Sequence, residues 1–332
     1  MNKRDQSLDI LKGIGIFLMV FDHVGWGSFV HTYIQSFHMP LFFIVSGYLW
    51  KNDVLSSLAK KRFKTLMIPY AGFATAFLLL RITPAFGGEQ SIIKSLKAVL
   101  LYPTDIANMP IAPALWFLPC MFSASIVYSL LSRLDFKLKA FAIVCISTLG
   151  MTYSSLFDRM LPFTIEPMTV ALGFILVGEL IKKNNNNVME WIDKSWIIII
   201  LLIAEAALAI LNGSVDMRSA RYHNCFLYLF NGIAGTLAYW GIAKKISLFG
   251  AQSCVGGVKW ISSLSQNAMG FICMNQLFIS LFSKAFHALL TEGTLGLIAY
   301  KAVIFVAVTV AISWITQMIM NSRVRFVLGG KQ

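Results

Sequence analysis

Lys12 and His23 interrupt "LDILKGIGIFLMVFDHVG" (8–25), an apolar run otherwise suited to a membrane interior. They are eleven residues apart. At about 100° per residue they return to within about 20° of one another after three turns, separated by about 16 Å along a helix axis. An ammonium holds anions, and an imidazole titrates near neutral pH and can act as a base. An ionisable side chain at mid-membrane costs about 2.5–3.5 kcal/mol on insertion scales, so such residues tend to line a cavity or a pathway. The same spacing also suits a lysine that snorkels to the cytoplasmic interface and a histidine satisfied at the outer one. Gly13 and Gly15, between them, permit close approach of a helix or a ligand.

Two carboxylates accompany this pair. Asp9 lies one turn before Lys12, at i and i+3, and is placed to pair with it. Asp22 adjoins His23, but neighbouring helix positions lie about 100° apart and do not face each other, so a partner for His23 should come from elsewhere. A second stretch, "FHMPLFFIVSGYLW" (37–50), brings His38, Pro40 and Ser46 into an apolar run. Pro40 fits the first turn of a helix, where it breaks no internal hydrogen bond. His38 then stands at the outer mouth of that helix, near the depth of His23. Ser46 and Gly47 fall lower, where small residues let helices approach. Packing is the simpler reading of Ser46, and its hydroxyl is also a candidate acceptor contact.

Elements of membrane-spanning length must position these residues. Of 332 residues, 57% are hydrophobic and 13% charged, and mean hydropathy is +0.71. A soluble domain carries about 25% charged residues. Only helices and closed barrels span a bilayer, and apolar runs of about 20 residues without strict alternation select helices. Ten spans are expected: 8–28, 34–50, 63–82, 112–132, 138–157, 165–182, 195–212, 223–243, 260–283 and 295–320. The first is polar and the second short. The connections include 83–90, the asparagine run at 182–187, read as a solvated loop, and 212–224. No signal peptide cleavage site and no internal repeat is evident, and one integral-membrane domain covers 1–332.

The net charge of +13 reports topology before it reports nucleic acid, which is not an expected partner. With the N-terminus cytoplasmic, 20 of the 28 lysines and arginines fall on that side, and an odd number of spans would scramble the split. Both termini are therefore expected in the cytoplasm. The five cysteines have no metal-ligand or CxxC spacing and read as packing residues, with no metal expected.

The chain resembles the acyltransferase 3 family of polytopic bacterial inner-membrane O-acyltransferases, most closely its fucose 4-O-acetylase-like branch. The resemblance rests first on "LDILKGIGIFLMVFDHVG", which is similar to the family's opening Arg/Lys-X10-His element, and on "SFHMPLFFIVSGYLW", similar to its second-helix signature. "KKRFKTLMIPY", "LWFLPCMF", "GFILVGELIKK" and "LYLFNGIAGTLA" resemble further segments in the expected order. It implies transfer of an acyl group, commonly acetyl from cytoplasmic acetyl-CoA, to a glycan or lipid-linked sugar at the outer face. By the resemblance His23 is catalytic and Lys12 is the basic member of the motif. Three departures stand out. Lys12 replaces a common arginine, keeping the charge and losing the planar fork. Thr65 breaks an Arg-X-X-Arg form begun by Arg62. Asn275 stands where a histidine is often seen, which puts a two-histidine mechanism there in doubt.

A thioester is already activated, so such an enzyme needs a base for the acceptor hydroxyl and a site for the developing oxyanion. His23 would be the base. Lys61, Arg62 and Lys64, with Lys60, form the densest basic cluster and would hold the phosphates of coenzyme A, although cytoplasmic anchoring explains them equally. The donor arm would pass Lys12. The sugar would enter past Trp116 and Phe117, with His38, Ser46 and Asn275 as further candidate acceptor contacts. The main alternative is a transporter or flippase for a glycan precursor or small solute, with Lys12, Asp22, His23 and Glu205 as an intramembrane path. Glu205, in the middle of the seventh span, has no role in the acyltransferase reading. A non-catalytic scaffold is a second alternative, and it leaves the histidines unexplained.

Overall fold

A computed structural model describes residues 5–83, 92–109, 112–157, 161–252, 256–287 and 293–329. The connection expected at 83–90 lies outside them except for Thr83, as do Cys254 and the basic residues Lys3, Arg4, Arg159 and Lys331. The described chain is helical, with one isolated bridge between Asp216 and Arg221.

In the first third are α1 (Gln6–Val24), α2 (Ser28–Gln35), α3 (His38–Tyr48), α4 (Leu55–Arg62), α5 (Ile68–Ile82) and α6 (Ile92–Leu101). The middle holds α7 (Phe117–Leu131), α8 (Phe136–Leu156), α9 (Ile165–Lys183), α10 (Asn185–Ile192) and α11 (Ser195–Asn212). The last part comprises α12 (Cys225–Gln252), α13 (Gly256–Gln266), α14 (Ala268–Ala285) and α15 (Thr294–Met320). A widened π turn at Phe63–Met67 joins α4 to α5, so the third span starts at Leu55, earlier than expected, and carries the basic cluster within its first turns.

Eight helices among the described residues are long and apolar enough to cross a membrane. The other two expected spans correspond to α1 and α3. The protein is an all-α, multi-pass membrane protein. Its outer helices face lipid: Phe141 on α8, Leu211 on α11 and Trp314 on α15 are all exposed. The polar opening helix α1 and the short helix α3 are enclosed by others. α1 packs against α3, α12, α13, α14 and α15, and α3 packs against α9 and α12. Ile10, Leu11 and Ile16 of α1 and Leu41, Phe43 and Ile44 of α3 are fully buried. A helix surrounded by protein need not be uniformly apolar, because its polar groups find protein partners. That is why Lys12, Asp22 and His23 are tolerated here.

Local chemistry sets the ends of α1. Asp5 caps it by accepting from the Ser7 amide at 2.9 Å, and Gly25, at φ 86°, ends it in the left-handed conformation two residues beyond His23. Gly13 brings the backbone of α13 so close that a Cβ there would lie 2.1 Å from the Ile261 carbonyl oxygen. Pro40 is the third residue of α3, inside the first turn as expected.

The asparagine run is not a loop. Asn185–Asn187 open α10, whose Ile192 is fully buried, with Val188 and Met189 against the core, and Tyr48 donates to Asn185 Oδ1 at 2.8 Å. Burial of one apolar face outweighs the weak helix propensity of asparagine.

Candidate active site

Where α1 ends, α2 and α3 begin and the 213–224 segment folds back, the helices leave a cavity of about 430 Å3. A volume of that order suits one or two sugar rings or a molecule of similar size. On the α1–α3 side it is lined by His23, His31, Gln35, His38 and Phe42. Across from these stand Trp116 and Phe117, at the start of α7, and Asp216 and Arg218. Gln276, on α14, completes the polar lining. All these elements lie toward the end of α1 that the basic-residue bias assigns to the outer face.

Three of the five histidines share this cavity, and each directs Nδ1 to an oxygen. His23 Nδ1 lies 3.2 Å from Asn275 Oδ1. The Asn275 amide nitrogen faces Met19 Sδ at 3.8 Å, which leaves its oxygen for the histidine. Nδ1 therefore carries the hydrogen, and Nε2 is the lone-pair nitrogen available as a base. His38 Nδ1 donates to the Ile34 carbonyl at 3.0 Å. His31 Nδ1 donates to Asp22 Oδ1 at 2.9 Å, and Gln35 Nε2 donates to Asp22 Oδ2 at 2.6 Å. Asp22 thus ties α2 to α1 and does not serve His23, as the helix geometry required.

His31 lies between the first two spans, and the hydrogen bond to Asp22 raises its pKa above the ordinary histidine value against a smaller opposing effect of burial. A histidine raised on folding stabilises fully below its unfolded value, near 6.5, and that contribution fades as pH rises through the raised value. Thermal unfolding of the detergent-solubilised protein should accordingly show a fall in Tm above neutral pH that His31→Gln removes. An unchanged pH profile in that variant would mean the pair does not stabilise the α1–α2 junction.

The segment 213–224 is a folded element. Val215, Met217, Ala220 and Tyr222 are buried. Asn212 Nδ2 donates to the Tyr222 carbonyl at 3.1 Å and Asn212 Oδ1 accepts from the Asn224 amide at 2.8 Å, closing the segment at its base. Asp216 accepts from Arg218 Nη2 at 2.5 Å, from the Arg218 amide at 3.0 Å and from Ser219 Oγ at 2.7 Å. Burial alone would raise the Asp216 pKa, but the Arg218 charge and these hydrogen bonds together hold it below the usual carboxylate value.

The candidate residues from the sequence separate into groups. His23, His38 and Trp116 line one cavity. Asn275 is buried behind His23 and orients it. Ser46 is outside the cavity lining, and its buried Oγ has no hydrogen-bond partner among the described residues. Lys12 is also outside the lining and pairs with Asp9 at 3.1 Å. The deepest α1 residue of the cavity is Met19, seven positions and about 10 Å of helix rise above Lys12. Lys61 and Lys64 are exposed and Arg62 half-buried at the far end of α4–α5. Glu205 is fully buried and faces protein, accepting from Ser36 Oγ at 2.7 Å behind α2. It does not line the cavity.

A family model described as an acyltransferase domain, that of acyltransferase 3, matches residues 5–318. The chain belongs to the acyltransferase 3 family. A curated relative is the nodulation protein NolL of Mesorhizobium japonicum, 27% identical over 230 residues, which cover 63% of this chain and 57% of NolL. The match thus spans little more than half of that relative's length. No solved structure matches the chain.

For this acyltransferase 3 protein the sequence reading missed His31, Gln35, Asp216, Arg218 and Gln276 as cavity residues. One signal was present for Arg218. It belongs to the minority of eight basic residues that the expected topology leaves on the outer side, where positive charge is disfavoured without a local reason.

Proposed function

We propose that the protein is an O-acetyltransferase of the bacterial inner membrane, moving acetyl from cytoplasmic acetyl-CoA to a hydroxyl of a cell-surface or lipid-linked glycan. The observation that carries this reading is His23 in the cavity, its Nδ1 held by Asn275 and its Nε2 left as a base. The acceptor occupies the cavity, its ring against Trp116 and its hydroxyls near His38. Nε2 of His23 takes the hydroxyl proton as the oxygen attacks the thioester carbonyl carbon. The tetrahedral intermediate then breaks its C–S bond, and the thiolate leaves with the proton from His23. The donor approaches from the opposite face, its phosphates held by Lys60, Lys61, Arg62 and Lys64.

The family membership and the cavity favour chemistry over transport. Glu205, the strongest sequence argument for an intramembrane path, is removed from the cavity and hydrogen-bonded within the protein. Cells with and without the protein, fed isotope-labelled acetyl precursors, should differ by labelled acetyl groups on surface glycans in mass spectrometry. Identical acetyl profiles together with altered export of an unmodified glycan would support the transporter instead.

A further inference from the structure

Arg218 has a feature that the proposed chemistry does not yet use. Its Nη2 is fixed to Asp216 at 2.5 Å, while its buried Nε–H has no hydrogen-bond partner among the described residues. A buried donor without a partner loses its hydration with nothing in return, and such a group in a native protein calls for a water, an ion or a ligand to accept from it. Gln35 donates to Asp22, His31 donates to Asp22, and His38 donates to Ile34. Arg218 borders the same cavity as His23 and comes from a different element.

The segment that carries it is built to be rigid. Four buried side chains anchor it, the Asn212 amide closes its base, and Asp216 and Arg221 pair their backbones in both directions at 2.8 and 3.0 Å. Preorganised donors aimed at developing charge need no rearrangement at the moment of reaction.

We propose that Arg218 is the group that stabilises the oxyanion, donating to the thioester carbonyl oxygen as His23 deprotonates the acceptor. The inference rests on the reading of His23 as the base. As the acceptor oxygen bonds to the carbonyl carbon, the C=O π pair moves onto the carbonyl oxygen, which accepts from the guanidinium. Arg218 keeps its protons throughout. When the C–S bond breaks, that electron pair returns to re-form the carbonyl of the ester. Asp216 acts as a positioning residue: it accepts from Nη2, on the same edge as Nε–H, and so fixes the guanidinium at the wall of the cavity.

The test compares Arg218→Lys, Arg218→Gln, Asp216→Asn and His23→Ala in the purified full-length protein, with acetyl-CoA and a native glycan acceptor. Arg218→Gln should lower kcat by about 100- to 1,000-fold, the range found on removing one oxyanion donor, with acceptor KM changed less than threefold. Arg218→Lys, which keeps charge but loses the planar fork, should recover part of that loss. It also serves where the glutamine variant fails to fold. Asp216→Asn should lower kcat at unchanged acceptor KM, less severely. A rise in KM with kcat preserved would make Arg218 an acceptor-binding residue and overturn the proposal. If His23→Ala is inactive while Arg218→Gln and Arg218→Lys turn over normally, the oxyanion assignment alone fails. If His23→Ala turns over normally, the reading of the base fails first.

Discussion

Replacing His23 by alanine should reduce acetyl transfer by about 100- to 10,000-fold, the usual contribution of a positioned general base. The effect should fall on kcat. His23 contributes little apolar contact to the acceptor side of the cavity, where Trp116 and Phe117 supply the flat surfaces, so acceptor KM should stay within a few-fold of wild type. Folding should survive. His23 faces a cavity and has one side-chain hydrogen bond, to Asn275, so its removal leaves a single buried acceptor without its donor, costing about 1–3 kcal/mol. The measurement is single-turnover transfer of labelled acetyl from acetyl-CoA, with thermal unfolding run on the same preparation. A folded His23→Ala protein whose turnover lies within tenfold of wild type would remove His23 from the proton transfer. His38→Ala is the informative companion: its Nδ1 is bound to the Ile34 carbonyl, as in a structural cap, so its loss should be the smaller.

The opening helix was legible because helical geometry is local. The Asp9–Lys12 pair, the failure of Asp22 to face His23, and the seating of Pro40 in a first turn all follow from angles within one or two turns. Eight of the ten expected spans were legible because lipid demands long apolar runs. What the sequence concealed was contact at a distance. His23 meets Asn275 across 252 positions, and a single sequence offers no sign of that pairing. Asn275 was expected on the acceptor side, and it lies behind the imidazole. The stripe joining Lys12 to His23 does not continue as one cavity, because Asp9 draws the ammonium to the helix start and α13 closes against Gly13. Residues 212–224 read as a connection, being rich in polar residues with glycine near the start. Only the tertiary burial of Val215, Met217, Ala220 and Tyr222 turns them into a wall of the site.

Adding a side chain at the α3–α9 crossing should have the largest structural effect. A Cβ on Gly47 would lie 1.9 Å from the Ile175 carbonyl oxygen, and one on Gly178 would lie 2.0 Å from that of Ile44 and 2.9 Å from the Gly47 Cα. Both collisions are with backbone, which cannot rotate away, so the helices must separate. In a membrane, where helix association depends on close packing, separation forfeits contacts along the whole crossing. Overpacking a well-packed core costs about 1–3 kcal/mol, and more when backbone must move, against a total stability of about 5–15 kcal/mol. Gly47→Val should therefore give little monodisperse protein, and Gly47→Ala should fold with a Tm lowered by several degrees. Gly72→Ala is the control, because its nearest neighbour is a Val327 side-chain methyl at 3.1 Å, which can shift. Activity should fall with stability in Gly47→Ala, since α3 carries His38 and Phe42 into the cavity and any outward shift widens it. A Gly47→Ala protein as stable as wild type would mean that α3 and α9 do not need this approach. Gly47→Ala and Gly178→Ala share one contact, so the double variant should lose less stability than the two single losses added together. Simple additivity would place the two glycines in independent contacts.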